Sequence, residues 1–213
     1  MTANLELPIT TRVGDDADIP AVVATLAEAF ADDPVVAFLL DDGPAPNPVR
    51  HQALITALFA NRLLGGRAID EIVVPGDAVD VREAAAVWVP PCGPDDSGPD
   101  FAMVGLVNRL VLGAGTMDRR LKSLLPMLEA APVTPHWYLA FVGTRASARG
   151  RGLASALIST VTKKCDADGV GAYLESSDPA NVPFYERHGF LVTGEAVIVG
   201  GPRVPLMWRD PRR

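Results

Sequence analysis

The chain has 213 residues, of which 48% are hydrophobic and 21% charged, and this composition predicts a globular protein with one full core. The formal net charge of −7 argues against a nucleic-acid partner, because such binding needs many cations to neutralise phosphates. No apolar run reaches membrane-spanning length, and the first residues lack the pattern of a signal peptide. We therefore expect no membrane partner and a cytoplasmic location.

The two cysteines, Cys92 and Cys165, lie far apart in the sequence. No Cys/His spacing indicates a zinc site, so we expect no metal. A disulfide between the two cysteines stays possible, but a reduced protein is the simpler hypothesis.

Hydrophobic periodicity and turn residues predict an alternation of strands and helices along the chain. Predicted strands occupy 7–13, 69–74, 83–89, 136–142, 170–176, 190–199 and 203–208. Predicted helices occupy a segment that begins at Ile19 with Asp18 as its cap, then 35–40, 49–64, most of 101–128 with a break near Gly113, about 150–168, and 181–188. This order predicts a mixed α/β fold, a sheet of about seven strands with helices on both faces.

Two acidic residues, Asp32 and Asp33, separate the first two predicted helices. They could face an amine substrate. The alternative is that Asp33 caps the second helix, with Pro34 in its first turn.

The chain is organised around the junction at which the strand 136–142 leads through a polar turn into a helix. The helix opens on Arg149-Gly150-Arg151-Gly152-Leu153-Ala154. The first N–H groups of a helix lack internal partners and lie at the positive end of its dipole. Glycines remove the Cβ atoms that would keep a ligand's oxygens from this backbone. The junction therefore predicts a site for a phosphate-bearing ligand.

Two ligands are compatible with this segment. A dinucleotide fingerprint needs G-x-G-x-x-G/A, but Ser155 occupies the third position and the turn before Gly150 is too long. An NAD(P)-binding oxidoreductase is therefore the weaker hypothesis. The acetyl-CoA pattern Q/R-x-x-G-x-G/A is filled by Arg149, Gly152 and Ala154, and it expects the longer turn.

At these residues the chain resembles the GCN5-related N-acetyltransferase (GNAT) family, and within it the bacterial acetyltransferases related to puromycin N-acetyltransferase. The resemblance covers nearly the whole chain and is strongest over 135–208. The shared segments are 26–34, Trp137, the run 139–143, the block LESS…NVPFYERHGF at 174–190, and GGPRVPLMWR at the end.

The resemblance implies the GNAT fold, in which the two central strands splay apart. It implies a single acetyltransferase domain, 1–213, with an acetyl-CoA-binding core at about 135–192 and an acceptor-side region at about 19–130. The expected reaction is direct transfer of an acetyl group from acetyl-CoA to a primary amine of a small molecule. A monomer and a homodimer are both compatible with the sequence.

The resemblance also implies roles for backbone groups around the junction. The backbone at Val142, Gly143 and Thr144 would bind the pantetheine arm and the acetyl carbonyl. The backbone of Arg149, Gly150, Arg151, Gly152, Leu153 and Ala154 would hold the pyrophosphate. Arg145 and Arg151 could add charge there, or they could be ordinary surface residues.

Tyr185 matches the family's general-acid tyrosine, and its alternative role is that of a core aromatic residue. A phenol with a pKa near ~10 can protonate a thiolate whose conjugate acid has a pKa near ~8.5. Asn181 would bond the pantetheine or CoA, or would cap the short helix. Glu175 is the first candidate for the base, and its alternative is a carboxylate capping the loop 176–178. His136 is a weaker candidate for the base.

The acceptor is not encoded in any motif, and an antibiotic amine, a polyamine, an amino-acid derivative and a protein terminus all stay open. A non-catalytic acetyl-CoA sensor is the alternative to an enzyme. The presence of Tyr185, Glu175 and an intact loop favours the enzyme.

Overall fold

A seven-stranded mixed sheet runs through the part of the chain that the computed structural model describes, residues 9–41, 47–64, 71–76, 83–91 and 106–212. Its strands are β1 (Thr11–Val13), β2 (Glu71–Pro75), β3 (Ala84–Val89), β4 (Trp137–Thr144), β5 (Ala172–Glu175), β6 (Leu191–Val197) and β7 (Arg203–Arg209). They lie in the order β1-β2-β3-β4-β5-β7-β6. All neighbours are antiparallel except β4 and β5, which are parallel. The predicted mixed sheet is confirmed.

The helices follow the predicted order, with shifted ends. They are α1 (Ile19–Ala29), α2 (Pro34–Leu40), α3 (Pro48–Leu64), α4 (Leu106–Leu112), α5 (Ala114–Ser123), α6 (Leu125–Glu129), α7 (Leu153–Asp168) and α8 (Val182–Glu186). The break expected near Gly113 is present, because this residue has φ +86°. Helix α7 begins at Leu153, three residues after the predicted start at Gly150.

Alternate side chains of the central strands enter two separate cores. Val74 and Val87 join the core beneath α1, α2 and α3, whereas Val73, Ala86 and Trp88 join the core beneath α7. This alternation follows from the period of two along a strand. Helices therefore cover both faces of the sheet, as predicted, and Trp88 is a fully buried core residue.

Asp18 occupies the N-cap position of α1, as predicted, but its side chain makes no capping hydrogen bond. The carboxylate of Asp15 caps the short 3-10 turn Asp16–Asp18 that precedes α1. Asp18 is buried, pairs with Arg12 at 2.7 Å and accepts a hydrogen bond from the Asp15 N–H. The carboxylate is thus used for an ion pair with β1, which compensates its burial.

Several predicted features fall outside the described residues: Cys92, the first residues of the strands predicted at 7–13 and 69–74, and the start of the helix predicted at 101–128. Cys165 is a free, buried thiol, and burial raises its pKa to about 11. Within the described ranges, no helix is long and apolar enough to cross a membrane. The same ranges contain no group of three or more His, Cys, Asp or Glu side chains that could hold a metal.

Candidate active site

Strands β4 and β5 pair only at their amino-terminal ends. Trp137 lies opposite Ala172 and Tyr138 opposite Tyr173, whereas β4 continues to Thr144 without further partners on β5. The two parallel strands therefore diverge toward their carboxyl ends, which is the splay that the resemblance implies. The cleft between them leaves backbone N–H and C=O groups of β4 available to a ligand, because no β5 partner takes them.

A β-bulge interrupts β4 beside this cleft. Val87 and Trp88 of β3 are consecutive, but their partners on β4 are Phe141 and Leu139, so Ala140 is an extra residue. Leu139 belongs to the core beneath α7, whereas Ala140 and Phe141 both pack against the core on the opposite face. Bulges increase local twist and bend the strand, so this one contributes to the divergence of β4 from β5.

Val142, Gly143 and Thr144 form the carboxyl end of β4. An added Cβ at Gly143 would lie 2.8 Å from the Cβ of Ala29, so the glycine allows α1 to lie directly against the strand. The hydroxyl of Thr144 is buried and has no hydrogen-bond partner within the described ranges. Helix α1 is thereby brought to the border of the cleft.

The segment 145–152 connects β4 to α7 through a 3-10 turn, Ala146–Ala148, and two left-handed glycines. Gly150 and Gly152 both have φ +79°, a conformation that strains any residue with a Cβ. Gly152 immediately precedes α7, whose first N–H groups lack helical acceptors and lie at the positive end of its dipole. The conformation fits a backbone cradle for phosphate groups.

Arg145 binds two residues of α1 through its guanidinium. Its Nε donates to the Oγ1 of Thr25 at 3.1 Å, and its Nη1 donates to the Oε2 of Glu28 at 2.8 Å. Both acceptors belong to α1. The guanidinium therefore attaches the connecting segment to this helix.

The two other arginines of the segment are exposed and differ in their partners. Arg151 forms an ion pair with Glu83 at 2.7 Å. Among the residues that the structure describes, Arg149 has no acidic partner within ion-pair distance, so its charge is the one available to a ligand phosphate.

Glu175 ends β5 at the open end of the cleft, between two tyrosines. The hydroxyls of Tyr138 and Tyr173 lie beside its carboxylate, although the Tyr173 hydroxyl makes no hydrogen bond of good geometry. Burial raises the pKa of Glu175 to about 7, and the neighbouring hydroxyls only partly oppose this shift. Burial and the charge of Glu175 in turn raise the pKa values of both tyrosines. The loop 176–178 is held by Ser176, whose hydroxyl donates to the carbonyl of Asp178 at 2.8 Å.

Tyr185 lies on α8, partly buried against the core beneath α7. Its ring contacts Phe184 and Phe190, with centroid distances of 5.3 and 6.3 Å. Burial raises the pKa of its hydroxyl, and the nearby charge of Asp33 adds to the shift. The phenol therefore stays protonated at neutral pH. Asn181, at the start of α8, is exposed and makes no capping hydrogen bond with its side chain, which leaves its amide available to a ligand.

Asp33 caps α2, which confirms the capping interpretation. Its Oδ1 accepts from the N–H groups of Val35 and Val36, both at 3.0 Å. Its Oδ2 accepts from the hydroxyl of Ser177, two residues beyond Glu175. Burial raises the pKa of Asp33, and these hydrogen bonds oppose the shift. Asp33, which lies between α1 and α2, is thus bound to the loop that follows β5.

Comparisons of the sequence and of the fold with known proteins identify relatives of this chain among acetyltransferases (GNAT). The family model matches residues 103–190. A crystal structure of a histone acetyltransferase HPA2-related acetyltransferase from Corynebacterium glutamicum is 27% identical, has a TM-score of 0.68 and covers 97% of this chain and 98% of that one. Residues 103–190 thus match the model of the acetyltransferase (GNAT) family, and the chain has the fold of a GNAT acetyltransferase.

Two further comparisons agree with the GNAT assignment. An uncharacterised N-acetyltransferase of Schizosaccharomyces pombe is 28% identical over 207 residues, which are 91% of this chain and 80% of the yeast protein. Arylalkylamine N-acetyltransferase 2 of Aedes aegypti is 13% identical, with a TM-score of 0.60 over 97% of this chain and 100% of that one, a likeness of fold alone. The narrower resemblance to puromycin N-acetyltransferase stays a prediction.

The GNAT fold separates the predicted site residues into those at the cleft and those away from it. Glu175 ends β5. The cradle glycines come after the carboxyl end of β4, and α8 comes after that of β5. His136 precedes β4 at the opposite end, where its Nδ1 lies 2.6 Å from the carbonyl oxygen of Thr134 and its ring packs on Trp208. His136 therefore lies away from the cleft, and the structure does not support it as the base. The topology also excludes a doubly wound dinucleotide-binding sheet.

Sequence reasoning missed five residues at this site: Tyr138, Tyr173, Ser177, Glu28 and Arg62. Tyr138 and Glu175 lie on neighbouring strands, and a sequence does not state which strands are neighbours. Arg62 is a buried residue of α3 whose charge lies near the Tyr138 hydroxyl. Only Tyr173 had a local signal, because residues two apart on a strand share a face with Glu175.

Proposed function

We propose that the chain transfers an acetyl group from acetyl-CoA to a primary amine of a small molecule, within a single acetyltransferase domain. The observation that carries the proposal is Glu175, a buried carboxyl at the open end of the cleft whose pKa is raised to about 7. A group with this pKa is a base suited to neutral solution. The region 19–130 supplies α1, α2 and α3 around this end of the cleft and is assigned to the acceptor.

Glu175 acts as the base. An alkyl ammonium must lose a proton before its nitrogen can attack, and the ionised carboxylate accepts that proton directly or through one water. The Tyr138 hydroxyl beside it orients the carboxylate, and burial keeps the affinity of the carboxylate for a proton high. The charge of the carboxylate also attracts the ammonium form of the acceptor into the cleft.

Acetyl-CoA supplies an acyl group activated as a thioester. As the bond from the amine nitrogen to the acyl carbon forms and the bond from carbon to sulfur breaks, Tyr185 gives its hydroxyl proton to the departing sulfur. The nitrogen loses two protons on the way from ammonium to amide. The first passes to Glu175 before the attack and from there to water, and the second leaves the nitrogen after the attack and, through water, replaces the proton that Tyr185 gave to sulfur. Burial and Asp33 keep the Tyr185 hydroxyl protonated until that moment.

The backbone of 149–154 holds the pyrophosphate. Gly150 and Gly152 let phosphate oxygens approach the N–H groups that open α7, and the exposed guanidinium of Arg149 adds a charge-assisted contact. The backbone of Val142, Gly143 and Thr144 binds the pantetheine arm, since the splay leaves this end of β4 without a β5 partner. Asn181 reaches the same ligand from the start of α8.

The test is release of free thiol from acetyl-CoA over a panel of amines. The panel contains puromycin, aminoglycosides, polyamines, amino-acid derivatives and a peptide. It also contains agmatine and an arylalkylamine, because two proteins of similar fold are named for acetylating these amines. Turnover of at least one amine, lost in Glu175→Gln, supports the proposal. Tight binding of acetyl-CoA without turnover of any amine would favour the sensor instead. Binding of NAD and not of CoA would overturn both.

A further inference from the structure

The junction between α1 and α2, residues 28–33, makes a polar contact at each of its two ends. Glu28, in the last turn of α1, uses both carboxylate oxygens. Its Oε2 accepts from the Nη1 of Arg145 at 2.8 Å, and its Oε1 accepts from the N–H of Ala146 at 3.0 Å. Both donors belong to the first residues after β4. One glutamate therefore binds a side chain and a backbone group of the segment that forms the cradle.

At the other end of the junction, Asp33 binds the residues after β5. Its Oδ2 accepts from the hydroxyl of Ser177, while its Oδ1 caps α2. The carboxylate is mostly buried, which makes a hydrogen bond to it stronger than one in water. The attachment thus joins α2 to the loop between Glu175 and α8.

We propose that the junction 28–33 is a bridge across the cleft, which sets the distance between the carboxyl ends of β4 and β5, with Glu28 and Asp33 as positioning residues. The two strands share no hydrogen bonds at these ends, so the sheet itself does not fix their separation. The junction touches the β4 side through Glu28 and the β5 side through Asp33. This inference rests on the proposed function only where it identifies the cleft as the acetyl-CoA site.

The bridge is anchored firmly enough to act in this way. Helix α1 buries Val22 and Leu26 completely, and Ala29 contacts β4 at Gly143. Thr25, also fully buried, accepts the second hydrogen bond of Arg145. A helix packed along this length cannot slide without opening a cavity in the core. Movement of the cradle relative to the loop after β5 must therefore break one of the two end contacts.

The first test measures backbone hydrogen exchange without any ligand. Glu28→Ala removes both hydrogen bonds of Glu28 to the β4 side, while the bond of Arg145 to Thr25 stays. Ser177→Ala removes the β5 contact while the cap of Asp33 stays. Each change is expected to raise exchange about fivefold or more. A bridge requires that each variant raises exchange on both sides of the cleft, at 145–152 and at 178–181. Matched controls are Glu195→Ala, an exposed glutamate paired with Arg203 at the sheet edge, and Ser123→Ala, an exposed hydroxyl bonded within α5.

The second test is a double-mutant cycle on acetyl-CoA affinity, measured by calorimetry. Each single variant should weaken binding about fivefold, and the double variant should weaken it no further, because a bridge released at one end no longer acts at the other. Two independent contacts would multiply to about 25-fold instead. Exchange confined to the mutated side, or multiplication in the cycle, overturns the bridge. If the wild type binds no acetyl-CoA, the proposed function fails while the exchange test of the bridge still stands.

Discussion

Replacing Glu175 with Gln should stabilise the folded protein in alkaline solution. The same change should abolish most of the acetyl transfer. The carboxyl has a pKa of about 7 in the folded chain, against an ordinary value of 4.5. The folded state therefore holds this proton more tightly than the unfolded state. The stability that this group contributes is fully present below about pH 4.5 and is lost as the pH rises through about 7. A glutamine cannot ionise and does not incur this loss.

The size of the effect follows from the distance between the two pKa values. At about 1.4 kcal/mol per unit, the shift from 4.5 to about 7 corresponds to about 3 kcal/mol at pH 9 and to less than about 1 kcal/mol at pH 5. For a chain of this size, the variant should melt about 6 to 12 °C higher than the wild type at pH 9. The amide oxygen of glutamine still accepts a hydrogen bond from Tyr138, so no new unsatisfied group is created there.

The assay is urea unfolding of the wild type and Glu175→Gln at pH 5 and pH 9, with Glu195→Gln as the control for loss of an exposed carboxylate. The free energy of unfolding of Glu175→Gln should exceed that of the wild type more at pH 9 than at pH 5, by about 2 to 3 kcal/mol. Glu195→Gln should show no such pH dependence. An equal difference at both pH values would mean that Glu175 is not desolvated, and the argument for a base poised near neutrality would fail with it.

Three further changes test the other parts of the site. Tyr185→Phe should lower kcat about 100-fold, the usual scale for a general acid, and leave acetyl-CoA affinity unchanged; a defect confined to KM would remove Tyr185 from the acid role. Gly152→Val should weaken acetyl-CoA binding at least tenfold by calorimetry, whereas Gly169→Val, at the left-handed end of α7 away from the cradle, should cost similar stability and leave affinity intact. Arg149→Ala should weaken acetyl-CoA binding about fivefold at low salt and Arg151→Ala less, because Arg151 is already paired with Glu83; equal losses would contradict the different environments.

The fold was predictable because its signals are local. Alternating strands and helical periodicity define the seven strands and their order along the chain, and the glycines at 150 and 152 mark the start of α7 to within three residues. Helix ends were less predictable where side chains have competing partners. Asp18 carries the residue type of a cap, but its ion pair with Arg12 decides its role instead. No local pattern distinguishes these two uses of an aspartate.

The sequence predicts the site residues that belong to local motifs, but it does not predict the contacts between distant segments of the chain. Glu175, Tyr185 and the cradle are sequence motifs, so their positions follow from spacing. The neighbours that determine their chemistry come from distant segments: Asp33 lies near Tyr185, and Tyr138 lies beside Glu175. Those neighbours follow from strand order and from the bulge at Ala140, which a pattern of residue types does not reveal. The sequence therefore identifies Glu175 as a candidate base, but it does not predict the raised pKa of this residue.

Asp33 illustrates why a structural and a functional interpretation of one residue need not compete. One carboxylate oxygen caps α2, which fixes the side chain, and the other oxygen is thereby directed to Ser177. The cap supplies the rigidity that the contact across the cleft requires, because a free aspartate would lose conformational entropy to make it. Burial raises the pKa of the Tyr185 hydroxyl, and the same fixed charge of Asp33, held near it, adds to that shift. The capping role predicted from Asp-Pro is thus the physical basis of the role at the cleft.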